Sequence, residues 1–201
     1  MSVRYVLLLL TAICVAVPAW AQTTFSGTVN TATAVTAIST SGCQTAIGVD
    51  DAAGFATGDR ILVIQMQDAA SGGPCGLFDL ATIASVSGNV LTVRERLAHT
   101  YDLSGAVQVV RVATATNAIV TGTISPLPFN GRIGGVVVFE VSGTLELRAA
   151  ITATGAGFRG GVAAPGNAPC SIMTLIGPNG SADLARRGEG IVFCPPATGS
   201  G

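Results

Sequence analysis

His99 is the only histidine of this 201-residue chain, and Asp102 follows three positions later. A histidine oriented by a carboxylate is the arrangement that a general base needs. However, no GxSxG nucleophile elbow accompanies the pair, and no reactive thiol is expected to persist outside the cell. We therefore interpret His99 as a loop residue in a turn, and we predict that the chain has no catalytic residue.

Two groups of acidic residues suggest other chemistry, namely calcium binding and glycoside hydrolysis. Asp50–Asp51 and Asp59 flank a turn, but the DxDxDG spacing of calcium loops is missing. We predict that these residues form Asx turns, in which the side chain accepts local backbone hydrogen bonds. Glu140 and Glu146 could form the carboxylate pair of a glycosidase. Because they span a turn of uncertain geometry, we interpret them as solvated strand residues.

A glycine motif raises the question of a cofactor. Gly155, Gly157 and Gly160 satisfy the GxGxxG spacing of dinucleotide-binding loops. No amphipathic helix follows, since Pro165 and Pro169 interrupt the segment. We interpret these glycines as positions where neighbouring backbones approach closely, and we predict no cofactor and no metal site.

The charge composition excludes several functions. The formal net charge is −1, and all ten basic residues are arginines, without a single lysine. A near-neutral chain without basic clusters is poorly suited to bind nucleic acid, because binding requires neutralisation of phosphates. Without lysine, Schiff-base chemistry and a Walker-type phosphate loop are impossible within this chain. Few charges with abundant small and β-branched residues are typical of an extracellular β-protein.

The first 21 residues have the pattern of a signal peptide. A 12-residue apolar run, Val6–Val17, precedes the small-x-small motif Ala19–Ala21, after which we predict cleavage. The run is too short to span a bilayer, which takes about 20 residues. Lipid attachment at Cys14 is the alternative, although the bulky Ile13 stands where a small residue is preferred. We predict a protein that is secreted or held at the outer cell surface, with no membrane span after leader removal.

Four cysteines remain once the leader is removed, and in an exported chain they predict disulfides. Of three possible connectivities we favour Cys43–Cys75 and Cys170–Cys194, because each pair lies within one compositional half of the chain. A zinc site formed by the four thiolates is the alternative, but no CxxC spacing supports it.

The first β region, residues 22–125, predicts a small β-barrel or sandwich. Arg60–Met66 is apolar on both alternating faces and should be a central strand. Ala81–Glu95 predicts a hairpin around a two-residue turn at Gly88–Asn89. This register pairs Val86 with Leu91 and Ala84 with Val93, so that apolar residues oppose apolar residues.

The second β region, residues 126–161, turns at Ser142–Gly143. Neither hairpin register at this turn is favourable, because Glu140 would oppose either Leu145 or Glu146. We therefore predict a β-helix corner whose strands pair with the next coil, and Ile151–Thr154 as the third side of the coil. Residues 162–201 form a tail rich in glycine and proline that lacks the pattern of a core. We expect the natural chain to continue beyond its end.

Three stretches of the chain form a recognisable combination: Gly54–Gln67, Ala81–Ile83 with Gly88–Val93, and Gly134–Leu145 leading to Gly155–Gly161. Together they resemble the N-terminal region of large secreted, glycine-rich, adhesin-like bacterial surface proteins. The resemblance implies a cell-surface location and an architecture in which a small β-domain precedes a β-helix-like turn.

From these features we expect an exported, non-catalytic surface β-module that scaffolds or binds at the cell exterior. Its expected partners are surface glycans or other components of the cell envelope, and not nucleic acid. The alternative is a polysaccharide-active enzyme of the parallel β-helix type. Such an enzyme would carry a line of charged residues repeated on successive coils, which would distinguish the two functions.

Overall fold

The computed structural model describes residues 22–69 and 73–159, which form β-strands and contain no helix. The chain is therefore mainly β, as its composition predicts. No described segment has the length and hydropathy of a membrane-crossing helix. The strands are β1 Thr23–Gly27, β2 Ala32–Ser41, β3 Gln44–Val49, β4 Arg60–Gln67, β5 Phe78–Ser87, β6 Val90–Val93, β7 Ala106–Arg111, β8 Ala113–Ala115, β9 Ala118–Ile124, β10 Phe139–Val141 and β11 Leu145–Leu147.

Six antiparallel strands close into a barrel in the order β2-β3-β6-β5-β4-β7. β4 lies between β5 and β7, so the prediction of a central strand is confirmed. Its inward residues Ile61 and Val63 are fully buried in the barrel core. The outward Leu62 is also buried, because the segment with Val136 and Val138 covers that side of the barrel. This double burial explains why both faces of the strand are apolar in sequence.

The hairpin predicted around Gly88–Asn89 is confirmed in most of its register. Val86 opposes Leu91 as predicted, but Val93 opposes Ile83 in place of Ala84, because a bulge shifts the register. Of the two turn residues, Gly88 has a positive φ, of 55°, and Asn89 does not, which matches a turn with glycine at its first central position. The bulge adds one residue to β5 and strengthens the local twist that a closed barrel needs.

The remaining five strands form a parallel stack of successive coils. In one row β9 lies between β1 and β11, and in the other β8 pairs with β10. β10 and β11 flank the corner at Ser142–Gly143 and pair with the preceding coil rather than with each other, which confirms the predicted β-helix corner. Ile151 forms a parallel bridge to Ile124 on the predicted third side of the coil. Parallel pairing removes the conflict at Glu140, because Glu140 opposes Thr114.

The barrel lies between two strands of the parallel stack in sequence. β1 precedes every barrel strand and β9 follows them all, yet β1 and β9 pair directly. The predicted domain boundary after residue 125 therefore assigns β9 and β11 to different domains, although the two strands are hydrogen-bonded neighbours. The domain bounds 22–125, 126–161 and 162–201 stay a prediction, and the last range lies outside the described residues, as does the leader.

Apolar and polar contacts join the stack to the outside of the barrel. Val136 and Val138 pack against the outward face of β4 and β7. Gln108, fully buried on β7, donates to the carbonyl of Gly134 at 3.0 Å and accepts from its amide at 2.8 Å. Asn30 bonds both the amide and the carbonyl of Val138. Because these buried amides satisfy otherwise unpaired backbone groups, they fix the position of the covering segment.

The predicted disulfide between Cys43 and Cys75 is absent from the structure, where both residues are free thiols. Cys43 lies in the exposed turn between β2 and β3, whereas Cys75 lies in the connection between β4 and β5. In the strand order of the barrel these two connections lie on opposite sides of its circumference. Because a disulfide needs Cα atoms within about 7 Å of each other, this placement does not allow the bond. Cys75 Sγ instead donates to the carbonyl of Met66 at 3.1 Å. Cys170 and Cys194 lie outside the described residues.

Candidate functional site

The loop of residues 94–105 crosses the end of the barrel at which β4 ends and β7 begins, here called the mouth. Tyr101 is buried in the barrel core, and its hydroxyl donates to Asp79 Oδ2 at 2.7 Å and lies 3.3 Å from the carbonyl of Val63. Gln65, also fully buried, bonds both the amide and the carbonyl of Asp102. These contacts anchor the loop to β4 and β5.

Asp79 organises the loop around His99. Its carboxylate accepts hydrogen bonds from the backbone amides of Ala98 and His99, both at 3.1 Å. His99 Nδ1 lies 3.2 Å from Asp79 Oδ1. Burial by itself would raise the pKa of Asp79, but the hydrogen bonds from Tyr101, His99 and Ala98 outweigh burial and lower it. Asp79 therefore stays ionised at neutral pH and fixes the orientation of the imidazole ring.

The sequence suggested Asp102 as the carboxylate that would orient His99, but in the structure this partner is Asp79. Asp102 accepts instead from the hydroxyl and amide of Ser104 and from the amide of Ala69. These bonds, first the one from the Ser104 hydroxyl, lower the pKa of Asp102. Asp79 was missed because it lies 20 residues before His99, on a strand that only barrel closure brings to the loop.

Beside His99 the mouth contains a cleft of about 520 Å³, here called the mouth cleft. Its polar lining residues include Arg96, His99, Thr40 and Thr100. Its apolar lining includes Ile38, Leu97 and Leu103. A concave surface with an apolar side and a few converging polar groups is the usual form of a small-molecule site. Beyond a histidine and a tyrosine in one loop, no sequence feature indicates this cleft.

A second groove, of about 420 Å³, lies where the barrel meets the parallel stack. Arg60 and Glu140 line it together with four hydroxyl-bearing residues, Thr82, Thr114, Thr116 and Ser142. Arg60 lies between two carboxylates, 3.7 Å from Glu95 and 3.6 Å from Glu140. Glu95 in turn accepts from the amide of Thr82 at 2.7 Å. The guanidinium is therefore already neutralised by the protein itself.

The other acidic residues that the sequence singled out have local partners. Asp51 accepts from the amide of Ala53 at 2.8 Å, which confirms its predicted Asx turn. Asp59 also accepts a local backbone bond at 2.8 Å, but from the amide of Ala56, three residues earlier, which is not an Asx turn. Asp50 differs, because it forms an ion pair with Arg132 at 2.7 Å. Glu146 pairs with Arg148 at 2.7 Å, and the hydrogen bond from that arginine lowers the pKa of the carboxyl.

The glycine motif and metal binding are the remaining predictions for this part of the chain. No described residue lies within 4 Å of a Cβ built on Gly155 or Gly157, so the predicted close approach of neighbouring backbones is wrong at these two positions. Gly155 instead has a φ of 71°, which its turn requires. Within residues 22–69 and 73–159, no three side chains of His, Cys, Asp or Glu converge in a way that could hold a metal ion.

Comparisons with known proteins give limited similarity. No protein-family model matches the chain, and no curated protein does. Among solved structures, the chain is similar to the gp54 tailspike of Acinetobacter baumannii bacteriophage AP22, solved in complex with a capsular saccharide of A. baumannii. The sequence identity is 18%, the TM-score is 0.38, and the match covers 61% of this chain and 23% of the tailspike.

The chain is also similar to the tailspike gp49 of Pseudomonas phage LKA1. There the identity is 18% and the TM-score 0.31, with 54% of this chain and 21% of the tailspike covered. The chain thus spans less than a quarter of the length of either tailspike. At these values the likeness concerns the β architecture alone, and the functional argument below depends on the residues of this chain.

Proposed function

We propose that the protein is an exported, non-catalytic β-module that binds or scaffolds at the cell exterior. The observation that carries the proposal is the absence of a charge line along the described coils. Glu140 opposes Thr114 on the preceding coil, and Glu146 opposes Ile119. Ile119 in turn opposes Thr24 on the first coil. An enzyme of the parallel β-helix type would repeat charged residues in such columns.

The charged groups near the stack also favour a structural role. Catalysis by a carboxylate pair needs one acid that can give up a proton and one base, both facing the same bond. Glu146 is tied to Arg148, and Glu140 lies close to Arg60. These two carboxylates therefore pair with arginines of the protein itself, and of the two only Glu140 lines the groove beside Arg60.

The binding part of the proposal is supported by the mouth cleft. Much of it lies on a loop held to the barrel by Tyr101 and Gln65, and Asp79 fixes the His99 ring, so this part of the cleft is preorganised. Preorganised polar groups on a rigid scaffold lower the entropic cost of binding. The export part depends on the leader, and β1 begins at Thr23, the second residue after the predicted cleavage site.

The test combines export with an activity assay. The full-length chain is expressed in a bacterial host, and intact cells are treated with a membrane-impermeant maleimide. We expect a mature chain beginning at Gln22 and labelling of the exposed Cys43. Leu9→Arg, which interrupts the apolar run of the leader, is the control and should abolish labelling. Incubation of the purified protein with bacterial polysaccharides should release no new reducing ends.

Two results would overturn the proposal. One is a chain that stays unprocessed and inaccessible to the maleimide, which would remove the exterior location. The other is release of oligosaccharides by the purified protein, which would replace a binding module by an enzyme.

A further inference from the structure

We propose that the mouth cleft binds a saccharide bearing a carboxylate, with Arg96 as the anion-binding group. This inference rests on the proposed function and names the class of ligand. The volume of about 520 Å³ lies within the range of roughly 300–1,000 Å³ that small-molecule sites occupy.

Arg96 differs from the arginines that form ion pairs elsewhere in the described residues. Arg60, Arg132 and Arg148 each lie within 4 Å of a carboxylate, whereas Arg96 has no ion pair with any described residue. An arginine without a partner in a concave site offers a planar fork of donors that matches a carboxylate in a bidentate manner. The cleft thus has an available positive charge, which the groove beside Arg60 lacks.

His99 and two threonines supply the groups that a sugar needs beyond its charge. Because Asp79 engages Nδ1 of His99, the other ring nitrogen, Nε2, is left for a ligand. The side chain of His99 is 40% exposed, so a ligand can reach it. Thr40 and Thr100 line the same cleft, and a threonine hydroxyl can both donate to and accept from sugar hydroxyls.

The apolar side of the cleft fits the remaining surface of a sugar ring. Ile38, Leu97 and Leu103 lie among its lining residues, and Leu103 is 39% exposed. The C–H face of a pyranose can cover such a surface while its carboxylate reaches the arginine. A small inorganic anion would leave this apolar side unused. The combination therefore favours an acidic sugar over a free anion.

Trigalacturonate is the probe for this site, and its fully methyl-esterified form is the matched neutral ligand. We expect calorimetry to detect binding of trigalacturonate and at least about tenfold weaker binding, or none, by the ester. Arg96→Gln should lose at least about tenfold in affinity, since the neutral amide cannot form the charge-assisted, bidentate contact with a carboxylate. Arg132→Gln is the control, because this exposed arginine pairs with Asp50 at the other end of the barrel, and its affinity should equal that of the parent.

Thr40→Val, which removes a hydroxyl without changing the charge, should bind trigalacturonate more weakly than the parent but more tightly than Arg96→Gln, and thermal denaturation of each variant checks that the fold is kept. Absence of trigalacturonate binding, or equal binding by Arg96→Gln and the parent, would overturn the inference. Equal affinity for inorganic phosphate would also overturn it, by identifying a general anion site. Cleavage of trigalacturonate would instead contradict the non-catalytic function while leaving the site in place, so the two failures are distinguishable.

Discussion

In the barrel every strand has a partner on both sides, whereas in the parallel stack only β9 has two partners among the described strands. The packing follows the same division. The barrel encloses fourteen buried apolar residues in one cluster, while the main cluster of the stack has four, surrounded by half-buried ones. Closure removes exposed strand edges, and an open stack keeps them. The comparison indicates that the barrel is stable by itself, whereas the stack is stabilised by its contacts with the outside of the barrel.

A core truncation should show the largest difference between the two regions. Ile83, fully buried in the barrel, should lose about 2–5 kcal/mol of unfolding free energy when changed to alanine, because a cavity forms in a closed core. Ile151 in the stack is 41% exposed, and Ile151→Ala should cost less than about 1 kcal/mol. Urea denaturation followed by circular dichroism measures both. Equal losses would mean that the stack is packed as tightly as the barrel.

The corner of the stack should be sensitive at Gly143. A Cβ at this position would lie 2.6 Å from Asn117 Oδ1 and 2.7 Å from the carbonyl of Thr116. Gly143→Ala should therefore destabilise the protein by about 2–3 kcal/mol, the upper part of the range for overpacking. Gly157→Ala is the matched control, since a Cβ there meets no described residue within 4 Å. If the two variants melt at the same temperature, the coils do not approach each other as described.

The barrel hairpin should respond to Gly88→Val through backbone strain alone. A Cβ at Gly88 has open space around it, but φ is 55°, where a β-branched residue is strained. We expect a loss of about 1–3 kcal/mol, against almost none for Val90→Ile, because Val90 is 39% exposed. Thermal melts of both variants and the parent provide the measurement. Unchanged stability of Gly88→Val would contradict the turn geometry.

Acid should weaken the mouth of the barrel through Asp79. Since the folded state lowers the pKa of this carboxyl, its stabilising contribution is present above the unfolded value of about 4 and is lost as pH falls through the folded pKa. Asp79→Asn should therefore show a smaller fall in melting temperature between pH 5 and the acid limit than the parent. Tyr101→Phe, which removes one donor, should be intermediate. Equal acid slopes in all three proteins would count against the Asp79 network.

The sequence predicted the elements of the fold whose signals are local. The central strand Arg60–Met66, the turn at Gly88–Asn89 and the corner at Ser142–Gly143 follow from alternation and from turn residues. It did not predict that Thr23–Gly27 pairs with β9, because that contact joins residues separated by the whole barrel. Such pairing depends on tertiary closure and leaves no periodic pattern in either strand.

The candidate site was less predictable than the fold, for a related reason. His99 stands out because it is the only histidine in the sequence, whereas Asp79 and Arg96 belong to no recognisable motif. Barrel closure places Asp79 of β5 beside the loop of residues 94–105, where Arg96 and His99 line the same cleft. The predicted Cys43–Cys75 disulfide was wrong for the same reason. The two cysteines lie in one compositional half of the sequence, but barrel closure places them on opposite sides of the barrel.

Native-state hydrogen exchange tests most directly whether the barrel is self-sufficient and the stack dependent. In the stack, the amides of Arg148 and Thr152 donate to the preceding coil, and in the barrel Ile61 and Val63 lie on a strand paired on both sides. We predict that the two stack amides exchange about tenfold or more faster than the barrel amides in dilute denaturant, through local opening. Equal protection, with all four amides exchanging in a single cooperative step, would contradict the division between a closed barrel and an open stack.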